Sequence, residues 1–118
     1  MSGHRLERVN EDAKRILALI IRELKDPRIP ELTTVTSVNI TPDFKFAKVY
    51  VSFMADDDEV KEAIKALNAA AGFVRREFGK RIEIRYIPKI HFAFDESISQ
   101  GAYINKLIND INKGGHNG

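Results

Sequence analysis

A cluster of basic side chains occupies residues 72–89 of this 118-residue chain. The segment contains six cationic side chains and two carboxylates, Glu77 and Glu83, so its net charge is +4 on a chain whose total is +2. The cations are Arg75, Arg76, Lys80, Arg81, Arg85 and Lys89. Clustered arginine and lysine neutralise phosphates and release counterions, and arginine adds bidentate phosphate contacts. The cluster therefore predicts a polyanionic partner such as RNA, with a solvated helix surface as the alternative.

A second row of arginines lies near the start of the chain. Arg8, Arg15 and Arg22 follow one another at intervals of seven, which places them on one side of a predicted helix. A solvated helix face explains such a row most simply. We include Arg8 and Arg15 in the predicted RNA-binding surface as a second edge.

Catalytic chemistry has few candidates in this sequence. Cysteine is absent, the serines lie outside nucleophile motifs, and the three histidines His4, His91 and His116 are far apart. The acidic run Asp56–Glu59 more simply starts a helix than binds a cation, because consecutive carboxylates point in different directions. No phosphate-binding glycine loop or helical pair of metal ligands occurs. The sequence therefore predicts a binding protein without an active site, a cofactor or a metal.

The composition is that of an ordinary globular protein, with 43% hydrophobic and 31% charged residues. It predicts a single domain over residues 1–118, with an ordered core at about residues 5–112 and a glycine-rich flexible tail at 113–118. The longest apolar run, Ile16–Ile21, is far shorter than the ~20 residues that cross a bilayer. Because cysteines and a cleavable signal are also missing, we expect a cytoplasmic protein. No heptad repeat favours a dimer, so we expect a monomer.

Apolar periodicity predicts a mixture of helices and strands. The first predicted elements are a helix from Arg5 that ends at Asp26-Pro27 and a hairpin of two strands, Thr34–Ile40 and Ala47–Phe53. A helix from the Asp56 run to Gly79 and a strand at Ile90–Phe94 follow. A last helix begins at Ser97 and has on one face Ile104, Leu107, Ile108 and Ile111. In the first strand, Thr34, Thr36, Val38 and Ile40 are predicted to share one side. The segment Arg81 to Tyr86 suits either a strand or a helix end. Three strands with helices on one face bury every apolar stripe, which predicts the α+β class and a two-layer domain.

Five segments of the chain match a known family in their order and spacing. They are KDPR from Lys25, TTVTSV from Thr33, AKVYVSF from Ala47, AAGFVR from Ala70 and IRYIPKIHFAFD from Ile84. Together they resemble the bacterial ribosome-binding factor A family, and the likeness extends over nearly the whole chain. The resemblance implies a fold like a type II KH domain, in the order α-β-β-α-kink-α-β-α, with a three-stranded sheet and helices on one face.

The resemblance also implies a function and a site. The family binds free small (30S) ribosomal subunits or their precursors and assists late maturation of 16S rRNA, including during cold adaptation. It replaces the GxxG clamp of ordinary KH domains by an Ala-x-Gly helix kink, which Ala70, Ala71 and Gly72 match here. On this basis Gly72 breaks the helix, and the basic cluster that follows is turned across the surface toward rRNA phosphates.

Three other functions also suit these residues. A stand-alone KH-like protein would act on non-ribosomal RNA, a small hydrolase or nuclease would use scattered carboxylates with a metal, and an interaction module would bind an acidic protein surface. The sequence shows no aromatic-rich face, which argues against sequence-specific binding of single strands by base stacking.

Overall fold

Three helices and three strands form residues 2–97, the part of the chain that the computed structural model describes, with side chains placed from residue 5 onward. In chain order they are α1 (Ser2–Glu23), β1 (Thr34–Ile40), β2 (Phe46–Ser52), α2 (Asp57–Ala69), α3 (Ala71–Arg81) and β3 (Lys89–Phe94). The α+β class predicted from the sequence is confirmed. The predicted last helix, with Ile104, Leu107, Ile108 and Ile111, lies outside the described residues. No described helix is long and apolar enough to cross a membrane.

Helix α1 contacts the sheet through one apolar stripe. Leu17 and Ile20 recur at helical spacing and are completely buried. The helix ends at Glu23, shortly before the Asp-Pro pair from which its end is predicted. The side-chain oxygen of Asn10 accepts a hydrogen bond of 3.1 Å from the Ile40 amide, which fixes α1 to the end of β1.

Strand β2 lies at the centre of the sheet. β1 pairs with it antiparallel as the predicted hairpin, and β3 pairs with it parallel on the other side. Parallel neighbours need a crossover connection, which α2 and α3 provide. One face of the sheet is buried by Val49, Val51 and Phe92. The opposite face carries Lys48 and its register partner His91, both exposed.

A β-bulge interrupts β1 where the sequence predicts regular alternation. The pairing with β2 shifts between Val35 and Ser37, so Val35 and Val38 are both buried although they are three positions apart. The prediction that alternate residues from 34 to 40 share one side is wrong, because Thr34 is exposed while Val38 and Ile40 are buried.

Helix α2 begins with a capping box. The Asp56 carboxylate accepts a hydrogen bond of 2.8 Å from the Glu59 amide, and the Glu59 carboxylate accepts one of 3.0 Å from the Asp56 amide. The interpretation of this acidic run as a helix start is therefore confirmed. Among the described residues there is no group of three or more His, Cys, Asp or Glu side chains that could hold a metal ion.

Helix α2 also closes the outer edge of β3. The Asn68 side chain donates to the Phe92 carbonyl at 3.0 Å and accepts from the Phe92 amide at 2.8 Å. Both backbone groups of an edge-strand residue are thereby satisfied within the domain, so this position is closed to an added strand.

Helix α3 continues through Gly79 to Arg81, so the helix end predicted at Gly79 is wrong. The glycine has a packing reason instead, because a Cβ at this position would lie 3.3 Å from Cγ1 of Ile87. Residues 82–88, here named the link, are irregular and contain no strand. Of the two predictions for the segment Arg81 to Tyr86, the helix end therefore holds for Arg81 and the strand is wrong.

Candidate nucleic-acid interface

A single residue, Ala70, separates α2 from α3. Its φ and ψ are −90° and 0°, and its amide still donates to two carbonyls of the last turn of α2, each at 3.1 Å. Gly72 lies in the first turn of α3 without a positive φ, and a Cβ on it would meet only Nη1 of Arg76, at 3.9 Å. The break therefore lies at the first residue of the trio Ala70, Ala71 and Gly72. It does not require the conformational freedom of the glycine.

Helix α3 has an inner and an outer side. The inner side packs against α1 and β3, and its Val74 and Phe78 are completely buried. At helical spacing, Phe73, Arg76 and Lys80 fall on the opposite, outer side, where all three are exposed. The basic cluster is thus divided between two environments on one helix.

Arg75 lies at the margin of the inner side and bonds to the link. Its Nη2 donates to the Ile87 carbonyl at 2.8 Å, and its Nε donates to the Pro88 carbonyl at 3.2 Å. Hydrogen bonds from a charged donor are stronger than neutral ones. The guanidinium of Arg75 therefore holds the entry to β3 against α3, and part of its hydrogen-bonding capacity is used inside the protein.

Arg81 joins the end of α3 to the end of α1. Its guanidinium contacts both carboxylate oxygens of Glu23, at 2.7 and 3.3 Å, and an oxygen of Glu77 at 3.3 Å. The hydrogen bond with Glu23 raises the pKa of Arg81. Hydrogen bonds from Lys80 and then Arg81 lower the pKa of Glu77. Two carboxylates thus surround the charge of Arg81, which makes it first of all a structural group.

Four of the predicted cations are exposed and bond to neither a carboxylate nor a backbone carbonyl among the described residues. Within residues 5–97, no carboxylate makes an ion pair with any of them. They are Arg8, Arg76, Arg85 and Lys89. Lys80 and Arg15 each pair with one acid at 3.2 Å, but their side chains remain 71% and 69% exposed. Exposed pairs of this kind contribute little, so phosphate can replace the acid at low cost. Six of the eight predicted cations are therefore available to a polyanion.

Helix α1 and the link bring cations from distant parts of the sequence together. Arg15 and Arg81 line one groove between these two elements. Arg5 and Arg85 line the next groove along the same boundary. Arg8 lines neither of them. The predicted second edge on α1 is thus adjacent to the cluster at Arg15, and Arg5 is a neighbouring cation that sequence reasoning misses because it lies outside the seven-residue row.

A third cleft lies between the hairpin turn and the link. Lys45 lies there with Arg75 and Lys89, beside the rings of Phe46 and Tyr86. The prediction that the chain lacks an aromatic-rich face is wrong at this cleft. Only the order FKF over residues 44–46 signals it in the sequence, and nothing there indicates that the link lies alongside.

The described elements form a KH-like domain. A hairpin leads into two helices joined at a one-residue break, and the next strand lies parallel to the central one. A sequence model of the family described as ribosome-binding factor A matches residues 5–108. The chain belongs to the ribosome-binding factor A family.

Similar proteins agree in sequence and in structure. Ribosome-binding factor A of Acetivibrio thermocellus is 51% identical over an alignment of 114 residues, which covers 93% of this chain and 93% of that one. The crystal structure of ribosome-binding factor A from Thermus thermophilus superimposes with a TM-score of 0.67 at 28% identity, over 75% of this chain and 93% of that one. A homology model of the Thermus thermophilus factor, fitted into a cryo-electron-microscopy map of a 30S complex, gives a TM-score of 0.60 at 30% identity over 70% and 87%.

Proposed function

We propose that this chain acts as one KH-like domain that binds free small (30S) ribosomal subunits or their precursors. It assists late maturation of 16S rRNA, including during growth in the cold, and a cytoplasmic place of action follows from this partner. Family membership supports the proposal, as does the relative fitted into a map of a 30S complex. The observation that carries it is the set of exposed cations without carboxylate partners among the described residues.

The cations have different tasks in this proposal. Arg76, Arg85 and Lys89 contact rRNA phosphates directly, since no described carboxylate competes for them. Arg8, Arg15 and Lys80 add contacts at the edges of the same surface. Arg75 and Arg81 act mainly by holding the link and α3 in position.

Binding itself is the proposed activity, and no covalent bond is broken. A protein that binds one conformation of a maturing subunit more tightly than another shifts the population toward that conformation. Such a task needs a stable charged surface and differential contacts, and it needs no active site, cofactor or metal. It also separates this proposal from a nuclease or hydrolase, for which turnover would have to be observed.

Charge reversal tests the surface. In Arg76→Glu with Arg85→Glu, two exposed cations become anions while the buried side of α3 is untouched. We expect affinity for purified small subunits to fall by about tenfold or more at moderate salt, and the salt dependence of log affinity to flatten by about 0.7–0.9 for each phosphate that is no longer bound. Co-sedimentation over a series of salt concentrations measures both quantities.

A matched control carries the same change of charge at another place. Lys61→Glu with Lys65→Glu reverses two exposed lysines on α2, and we expect nearly unchanged co-sedimentation. If both double variants lost the same affinity, the loss would depend only on the net charge of the protein, which would contradict the proposed surface. Sucrose gradients of cell lysate test the partner: co-migration with free small subunits supports the proposal, and migration with non-ribosomal RNA alone favours a stand-alone RNA-binding protein.

A further inference from the structure

The cleft between the hairpin turn and the link, here named the aromatic cleft, has an unusual lining. It has a volume of about 500 Å³ and lies where β2 and β3 begin. Its lining residues are Asp43, Phe44, Lys45, Phe46, Arg75, Tyr86, Ile87 and Lys89. Aromatic rings and cations share one concave surface, which is the composition of sites that bind single-stranded nucleic acid.

Two of the rings are open to solvent. Phe46 is 56% exposed and Tyr86 is 62% exposed. Single exposed apolar residues are ordinary, but two exposed rings that line one cleft offer a flat partner a place to stack. By contrast, Tyr50 on the same strand as Phe46 is only partly exposed. A cation lies 5.4 Å from the ring centre of both tyrosines, Lys48 at Tyr50 and Arg85 at Tyr86, so their exposure is what distinguishes them. The aromatic cleft is therefore the better stacking site.

The cations of the aromatic cleft differ in availability. Lys45 and Lys89 are exposed and have no carboxylate partner within the described chain, whereas Arg75 is bonded to carbonyls of the link. Asp43 also lies at this cleft, but its carboxylate accepts hydrogen bonds from the Thr41 hydroxyl at 2.8 Å and the Lys45 amide at 3.0 Å. Two ammonium groups that make no ion pair in the described chain therefore border the exposed rings, and the charge of Asp43 acts on Lys45 without an ion pair.

The backbone keeps the walls of the cleft in place before any partner binds. Phe46 and Lys89 are register partners, and the Lys89 amide donates to the Lys45 carbonyl at 3.0 Å. Phe44 has a φ of 59°, a left-handed conformation that costs a non-glycine residue about 1–2 kcal/mol. Its amide donates to the Thr41 carbonyl at 2.8 Å, so the turn maintains this conformation. A cleft fixed in advance loses little entropy when it binds.

We infer that the aromatic cleft binds an unpaired nucleotide of RNA, with its base stacked on Phe46 or Tyr86 and its neighbouring phosphates bound by Lys45 and Lys89. This rests on the proposed function, because it specifies which kind of RNA element the domain would contact. A duplex keeps its bases stacked inside and gains nothing from exposed rings. An acidic protein segment would use the lysines and leave the rings unused. An unpaired nucleotide contacts the rings through its base and the lysines through its phosphates.

Alanine substitutions of the rings test the inference. At least one of Phe46→Ala and Tyr86→Ala, the variant that lacks the ring on which the base stacks, should weaken binding of a short labelled single-stranded RNA by about five- to a hundredfold, measured by fluorescence anisotropy. The salt dependence should not change, because the lysines that bind the phosphates remain. Tyr86→Phe should retain the affinity. The same strand annealed to its complement should bind equally weakly to wild type and to the alanine variants.

Met54→Ala is the matched control for Phe46→Ala. Met54 is 50% exposed and follows the far end of β2, so it lies about 25 Å along the strand from Phe46. We expect this variant to bind the single strand like wild type, and thermal melts should show every variant folded. Single-strand affinity that is equal in wild type, Phe46→Ala and Tyr86→Ala would overturn the inference, as would tighter binding of the duplex.

The proposed function fails by a different result. If wild type binds the single strand through its rings but does not co-sediment with small subunits, the aromatic cleft stands and the ribosomal partner is wrong. If wild type co-sediments and both alanine variants do so with unchanged affinity and also bind the single strand normally, the partner stands and the cleft is wrong.

Discussion

The inner and outer sides of α3 carry the same kind of side chain and use it in opposite ways. On the inner side, Arg75 bonds to carbonyls of the link and Arg81 to carboxylates of α1 and α3. On the outer side, Arg76 is exposed with no described carboxylate partner, and Lys80 makes one pair at the surface. A run of basic residues thus contains both parts of the scaffold and parts of the binding surface, and their position relative to the buried stripe separates the two.

The acids of the cluster follow the same division. Glu77 lies between Lys80 and Arg81 and is bonded to both, while Glu23 comes from α1 to meet Arg81. These carboxylates neutralise Arg81 and pair with Lys80. Among the described side chains of α3, Arg76 on the outer side stays without a carboxylate partner.

Two phenylalanines test the comparison most strongly. Phe78 is completely buried on the inner side, whereas Phe73 on the outer side is 42% exposed. We expect Phe78→Ala to lower the free energy of unfolding by about 3–5 kcal/mol and Phe73→Ala to lower it by about 1 kcal/mol or less. Urea denaturation followed by circular dichroism measures both. Similar losses of stability in the two variants would show that α3 is not held by its inner side.

Arg75 and Arg76 are adjacent in the sequence and test the same comparison of inner and outer sides with smaller changes in stability. Arg75→Ala removes two charged hydrogen bonds to the link and should cost about 1–2 kcal/mol of stability. Arg76→Ala should change stability by less than about 0.5 kcal/mol, because the side chain makes no described ion pair. For small-subunit binding the order reverses: Arg76→Ala should flatten the salt dependence by about 0.7–0.9, and Arg75→Ala should leave it nearly unchanged. If Arg75→Ala flattened the salt dependence of binding more than Arg76→Ala, the result would show that the Arg75 guanidinium contacts RNA phosphates.

The sequence predicts the elements well because its local signals are strong. Alternation in β2 and the acidic start of α2 depend on period and capping, which are properties of neighbouring residues. The bulge in β1 is not predictable in this way, because the shift between Val35 and Ser37 is set by pairing with another strand. The helix end predicted at Gly79 fails for a similar reason, since the helix continues through this residue and leaves space for Ile87.

The sequence predicts which residue types the candidate site contains but not how they are arranged in space. The count of cations in residues 72–89 is visible in the sequence, whereas the bonds of Arg81 to Glu23 join positions 58 residues apart. The aromatic cleft likewise needs the hairpin turn at Lys45 to meet the link at Tyr86. Interactions of this kind depend on the packed fold, so a linear pattern shows neither which arginines are already bonded nor which rings share a surface.

The two glycines of α3 lie seven residues apart on one side of the helix and differ in what a side chain there would meet. Gly72 has no positive φ, and a Cβ there would meet only the end of the Arg76 side chain at 3.9 Å, so Gly72→Ala should stabilise the domain by up to about 1 kcal/mol. At Gly79 a Cβ would press on Ile87 at 3.3 Å, and overpacking of about 1–3 kcal/mol offsets the gain in helix propensity. Thermal melts should therefore rank Gly72→Ala above wild type and Gly79→Ala at or below it. If Gly72→Ala instead melted below wild type, the helix break would depend on Gly72. With open space around this position, only a backbone conformation that requires glycine would explain the loss of stability.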